Sequence, residues 1–190
     1  MSAKASKAPE LPKGRQAILN AVVKVVAQKG LRGLTFRSVA AEAGVSPTLA
    51  AHYFGTRDVL IEETLAWVAA YSVDSTHLEL IASSQGDYED ALADSVANEP
   101  ELHAFQIEMI LEARRRPELQ PHLASLYQTY LSALRIGAER IGLTDLPEPT
   151  YRAVFACLDG LILQYFSGSI TIGQFRESAL VMWRLVVDKN

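Results

Sequence analysis

Apolar residues along this chain recur three and four positions apart, the spacing of a helix face, and nowhere alternate as in a strand. Ile18, Val22, Val25 and Val26 form one stripe over Lys13–Lys29, and Gly30 ends it. Leu31, Leu34 and Phe36 continue the same core. Short helices are predicted over Phe36–Ala43 and Pro47–Phe54. A longer one starts after Thr56 and runs past Tyr71, with Val59, Leu60, Thr64, Trp67, Val68 and Tyr71 on nearby faces. Ser83–Asp87 is a turn cluster, Tyr88–Ala97 a short amphipathic helix, and Asn98-Glu-Pro100 a break. Leu102, Phe105, Met109 and Ala113 stripe a helix over Glu101–Arg116, where Arg114-Arg-Arg116 suits the negative end of the helix dipole. Leu119–Ile141 repeats Leu123, Leu126 or Tyr127, Tyr130 and Leu134; Gly142 and residues 146–149 form a loop. Thr150–Ser167 and Thr171–Asp188 are apolar around most of their circumference, so each is expected to be buried on more than one side. No hairpin signal and no internal repeat interrupts this pattern. The predicted fold class is all-α.

Residues 35–60 carry the densest set of start and stop signals. Thr35 is a hydroxyl N-cap, Gly44 a helix stop, Ser46 a second N-cap with Pro47 at the first helical position, and Gly55 a second stop. Thr56 caps the next helix, with Asp58 in its first turn. Short helix, glycine turn, short helix is the helix-turn-helix pattern, in which the second helix, here Pro47–Phe54, enters the major groove. Val39, Ala40, Ala43, Val45 and Leu49 or Ala50 supply the small apolar contacts that hold two such helices at a steep angle.

These residues resemble the tetracycline-repressor (TetR) family of bacterial transcriptional regulators: Thr35-Phe-Arg37, Val39-Ala40, Ala43-Gly-Val-Ser46, His52-Tyr-Phe54, Gly55-Thr-Arg57 and Leu60, preceded by a matching helix over about residues 13–30. Family members usually carry Leu-Tyr where this chain has Ala50-Ala51, and that Tyr often touches a phosphate. The His52–Gly55 run is more similar to the subgroup around the betaine-biosynthesis repressor, which often lacks it. The resemblance implies an N-terminal three-helix DNA-binding domain over residues 13–58, after a disordered tail at 1–12. A ligand-binding and dimerisation domain over 59–190 follows, with its last two helices forming a four-helix bundle across a two-fold axis. A monomeric bundle with those helices central is the alternative. The implied function is a repressor that binds a palindromic operator as a homodimer and is released by a small-molecule effector.

Composition sharpens this picture at two points. The net charge of −4 divides unevenly: residues 1–60 hold nine Lys/Arg against three Asp/Glu, a balance of +6, and residues 61–190 hold nine against nineteen, a balance of −10. A basic segment on an acidic body suits a protein that meets phosphates at one end only. Cys157 is the single cysteine, which excludes an internal disulfide and fits a reducing cytoplasm. No run of 18 apolar residues and no signal core are present, so no membrane partner is expected.

Affinity for DNA comes mainly from phosphates and specificity from base edges. Thr35, Arg37, His52, Tyr53 and Arg57 are the phosphate candidates; Ser46, Pro47, Thr48 and Leu49 face the bases. Lys13 and Arg15 suit phosphate or plain solvent equally. Trp67, Tyr71, His103, Met109, Tyr127 and Tyr130 mix apolar bodies with polar tips and are the effector-pocket candidates, although each also suits an ordinary core. Leu158, Leu161, Tyr165, Phe175, Met182 and Trp183 are the candidates for the dimer face. An enzyme is the competing class, but His52, His77, His103 and His122 lack metal-ligand spacing, and no nucleophile motif or phosphate-cradling loop occurs. No cofactor or metal is expected. A protein-interaction module is the third class, against which the basic head speaks.

Overall fold

The structure, a computed structural model, describes residues 12–76 and 87–187. Among these the regular structure is α-helix with short 3₁₀ turns. The helices are α1 (Lys13–Lys29), α2 (Phe36–Ala43), α3 (Pro47–Phe54), α4 (Arg57–Ser75), α5 (Asp87–Asn98), α6 (Pro100–Ala113), α7 (Gln120–Arg140), α8 (Glu148–Phe166) and α9 (Ile172–Val187). The all-α expectation holds. The tail at 1–11 and the turn cluster at 83–86 lie outside the described residues.

Several boundaries differ from the periodicity, most by one residue, and two of the larger differences have a local reason. α6 stops at Ala113, not Arg116. Pro117 disfavours the helical conformation of the residue before it, and a 3₁₀ turn over Pro117–Leu119 follows. The α8 helix starts at Glu148, inside the expected loop. Pro149 is tolerated there because first-turn N–H groups have no intrahelical acceptor. Asp87 joins α5 instead of closing a turn.

Residue contacts divide the chain into two compact units: Met1–Tyr71 with Glu101–Tyr127, and Ser72–Pro100 with Gln128–Asn190. In the first, α1 packs on α2 and α3, and α2 on α3. Ile18, Leu19, Val22, Val25 and Val26 are buried with Leu31, Leu34, Val39, Ala40, Ala50 and Phe54. Each large side chain of this set contributes about 1.5–3 kcal/mol by leaving water. Phe36, expected in that core, is only half-buried. Within the second unit, α9 packs on α8 and α5 around Phe175 and Ala179. Arg176 of α9 reaches Asp90 Oδ1 at 2.6 Å and Asp94 Oδ1 at 3.7 Å, one turn apart on α5. Tyr130 of α7 stacks on Phe155 of α8 with ring centroids 4.9 Å apart.

Candidate nucleic-acid interface

Side-chain caps set the two ends of the helix-turn-helix. Thr35 Oγ1 accepts from the Ser38 backbone N–H at 3.0 Å, and the Thr35 N–H donates to Ser38 Oγ at 3.0 Å. This is a capping box closed by Ser rather than Glu or Gln. Ser38 Oγ also donates to the Gly33 carbonyl at 2.8 Å, tying α2 to the preceding turn. Gly44 ends α2 in the left-handed conformation at φ 67°, and the Val45 N–H returns to the Ala40 carbonyl. Nothing lies within 4 Å of a side chain built at Gly44. Backbone conformation alone therefore favours glycine at that position. Ser46 Oγ accepts from the Leu49 N–H at 3.1 Å and starts α3.

Only one side of α3 is anchored. Ala50 is 0% exposed and Phe54 2%, one turn apart on the inner face. Thr48 and His52 are also one turn apart, and helical geometry puts them on the opposite face. Both are exposed, as are Ser46 and Pro47, while Leu49, Ala51 and Tyr53 are half-exposed. The Tyr53 ring lies over the start of α1: its Cε2 and hydroxyl oxygen stand 3.7 Å from where a Gly14 side chain would begin. Arg37 is exposed in the first turn of α2. Thus Arg37, the start of α3, His52 and Tyr53 are all at the surface of the first unit.

Thr35 and Arg57 both have intramolecular partners, Thr35 in the cap that the sequence suggested and Arg57 at two carbonyls that it did not. The Thr35 hydroxyl donates to Ser38 Oγ, so its proton and its N–H both serve the cap. Arg57 Nε–H donates to the Leu34 carbonyl at 2.9 Å and Nη2 to the Leu31 carbonyl at 2.6 Å. Burial, followed by the positive charge of Arg116, lowers the Arg57 guanidinium from its ordinary value. Asp58 lies 3.5 Å from Arg116 Nη2, and Arg116 Nε donates to Glu118 Oε1 at 2.8 Å. A backbone N–H and then Arg116 hold the Glu118 carboxyl below the usual carboxylate range. Arg15 pairs with Glu63 through Nη2 and lies over the Phe54 ring, 5.3 Å from its centroid. That guanidinium is committed within the first unit rather than offered to phosphate.

The remaining candidates separate by burial and by unit. Trp67, Tyr71, His103, Met109 and Tyr127 belong to the first unit and Tyr130 to the second. Trp67 stacks on Tyr71 with centroids 5.2 Å apart. Trp67, His103, Met109 and Tyr130 are buried, Tyr71 and Tyr127 half-buried. Burial corrects part of the expected dimer face. Phe175 is 0% exposed and Leu158 2%, and Leu161 is also buried, so all three offer a partner almost no surface. Tyr165, Met182 and Trp183 are half-buried. Among the described residues the large exposed apolar side chains of α8 and α9 are Leu163, Phe166, Val181 and Leu185. Val181 and Leu185 are spaced i, i+4, a signal that the apolar bulk of α9 hides in the sequence. Among the described residues no group of three or more His, Cys, Asp or Glu could hold a metal ion, and no helix is long and apolar enough to cross a membrane.

This architecture has relatives. Residues 18–64 match the family model for bacterial regulatory proteins of the tetR family, and residues 83–188 match the tetracyclin repressor-like C-terminal domain. The HTH-type transcriptional regulator BetI of Rhizobium meliloti (strain 1021) is 28% identical over 160 residues, covering 80% of this chain and 78% of that protein. A TetR-family regulator structure from Rhodococcus sp. superposes with a TM-score of 0.77 at 26% identity, covering 93% of this chain and 99% of that one. The multidrug binding protein EbrR, solved with ethidium, gives a TM-score of 0.65 at 28% identity over 89% of this chain and 98% of that one. With both parts of the family matched, and with a capped helix-turn-helix exposing one side of α3, the chain belongs to the TetR family and is a helix-turn-helix transcriptional regulator.

Proposed function

We propose that this regulator is a repressor which binds a palindromic operator as a homodimer and releases it on binding a small-molecule effector. The observation that carries this reading is the one-sided anchoring of α3. Ala50 and Phe54 fix the helix to the head, while Ser46, Pro47, Thr48 and His52 stay at the surface. Pro47, Thr48 and Leu49 face base edges with Ser46 at the cap. Arg37, His52 and Tyr53 contact phosphates, and Thr35 and Arg57 shape the surface that presents them. Residues 13–58 form the DNA head and 59–190 the effector-binding and dimerising body, and the protein acts in the cytoplasm, where its operator is.

A two-fold dimer supports a palindromic site, because paired heads read half-sites about one helical turn apart. Exposed Leu163, Phe166, Val181 and Leu185 on α8 and α9 support the dimer. EbrR, solved with ethidium, supports an effector of drug-like size. Trp67, Tyr71, His103, Met109 and Tyr127, all of the first unit, are the residues we assign to its binding. Such an effector acts only if it prefers the arrangement of heads that does not fit DNA.

Selection of bound duplexes from a random pool, followed by fluorescence anisotropy at several salt concentrations, tests this function. The expected result is a palindromic motif whose affinity falls steeply with salt. Binding that ignores both sequence and salt, or none at all, overturns it.

A further inference from the structure

The outward face of α3 lacks the side chains that read purines. Guanine O6 and N7 are commonly read by Arg or Lys, and adenine N6 and N7 by Asn or Gln, each through two hydrogen bonds. None of these residues occurs in Pro47–Phe54, and neither do Asp or Glu, which accept from cytosine. What this helix offers at its N-terminal end is mostly hydrocarbon, with one hydroxyl, that of Thr48. Pro47 and Thr48 are exposed, Leu49 and Ala51 half-exposed. Ser46 Oγ is already the acceptor for the Leu49 N–H, which ties it to the cap. Two polar side chains remain on that face: Thr48, whose lone hydroxyl can bond any base edge but cannot make the two-pronged contact that singles out a purine, and His52, which stands a full turn beyond Thr48, away from the end of the helix that lies deepest in the groove.

A major-groove base edge carries one apolar group among the four bases, the thymine 5-methyl. The short side chains fit the same conclusion. Ala51 flanks the outward face with a single methyl group, so the α3 backbone can approach the bases closely enough for Thr48 and Pro47 to touch them. Resting on the DNA-binding function above, we propose that this regulator reads its operator half-site chiefly through thymine methyl groups, contacted by Pro47, Thr48 and Leu49, and not through two-pronged hydrogen bonds to purines. The bases it selects are then thymines at fixed positions on one strand of each half-site. The same proposal makes 5-methylcytosine a partial substitute for thymine, because it presents a methyl group at the same place in the groove.

The test uses the full-length protein and a duplex recovered from the random-pool selection. Each half-site thymine is replaced in turn by deoxyuridine, which deletes only the methyl group, and each guanine by 7-deazaguanine, which deletes only the N7 acceptor. Anisotropy is expected to show about a fourfold loss for each contacted methyl removed, and about fifteenfold when the symmetric pair is removed from both half-sites. The 7-deazaguanine duplexes bind unchanged. Thr48→Ser keeps the hydroxyl and loses the methyl, so it abolishes the deoxyuridine penalty at one thymine; Thr48→Val retains it. Salt-dependent binding with deoxyuridine neutral everywhere, or with 7-deazaguanine carrying the loss, overturns this proposal alone. Absence of salt-dependent binding to any duplex overturns it together with the function it rests on.

Discussion

Arg57 Nη2 donates to the Leu31 carbonyl oxygen at 2.6 Å, so the first residue of α4 holds the turn that ends α1. Its Nε–H donates in parallel to the Leu34 carbonyl, just before the Thr35 cap. A planar guanidinium presents Nε–H and Nη2–H in a fixed fork that matches both oxygens, whereas a lysine ammonium is a compact point charge on a flexible stem and lacks that fork. Arg57→Ala is expected to lower stability by about 1.5–3 kcal/mol, the cost of losing charge-assisted hydrogen bonds to carbonyls that water reaches poorly. Arg57→Lys recovers less than half of that. Arg37→Ala, at an exposed position, leaves the urea midpoint unchanged and weakens DNA binding only. Urea titrations followed by circular dichroism decide the matter, and equal midpoints for Arg57→Ala and Arg37→Ala would contradict the clasp.

Gly14 offers a second test, on the α1 side of Tyr53. It lies in the first turn of α1, where glycine costs conformational entropy, and a methyl group added there meets only the Tyr53 ring at 3.7 Å, an ordinary contact. Gly14→Ala is expected to raise stability by about 0.5–1 kcal/mol without changing affinity for DNA. Gly14→Leu has no such room. It displaces Tyr53 and weakens binding to specific and random duplexes alike, as expected of a lost phosphate contact. A Gly14→Leu protein that binds normally would remove Tyr53 from the interface.

How far the sequence reaches can be judged residue by residue. The caps at Thr35 and Ser46, the stops at Gly44 and Gly55 and the α1 stripe were legible because each depends on neighbours within four positions. Arg15 and Arg57 were not, because their partners lie far off in sequence: Glu63 for one, the Leu31 and Leu34 carbonyls for the other. A basic residue near a helix start looks the same whether it meets phosphate or a carbonyl. The two faces of α8 and α9 were not legible for another reason. Apolar residues surround both helices, so periodicity could not tell the face on Phe175 and Ala179 from the one on Val181 and Leu185.

Tyr151 supplies a pH dependence whose sign can be worked out. Burial raises its phenol from the ordinary value of 10.0, an effect reduced by Arg135, which sits 5.6 Å from the ring centroid. Above that ordinary value the unfolded chain loses its phenolic proton before the folded one does. The unfolded state then binds fewer protons, and stability falls as pH rises. The contribution is present in full below about pH 10 and declines between the unfolded and folded values. Tyr151→Phe, which cannot ionise, is expected to show a shallower loss of stability across pH 9–11. Superimposable alkaline limbs for the two proteins would show that Tyr151 does not titrate differently in the two states.

The outer face of α9 provides the sharpest test of assembly. Val181 is 55% exposed and Leu185 59%, one turn apart and on the other side of the helix from the buried Phe175 and Ala179. If α8 and α9 pair across a two-fold axis, each substitution acts twice, because a self-complementary interface contains both copies. Leu185→Glu therefore places two like charges in apolar surroundings and is expected to give a folded monomer in sedimentation at micromolar concentration. Its helical signal stays intact, and its affinity for a palindromic duplex falls at least tenfold, since the two heads no longer bind as a unit. Phe175→Ala behaves differently. Phe175 is 0% exposed within the chain, so truncation costs about 3–5 kcal/mol of folding stability and lowers the thermal midpoint before it affects assembly. A Leu185→Glu protein that sediments as the unsubstituted chain does would place the partner surface elsewhere on the molecule.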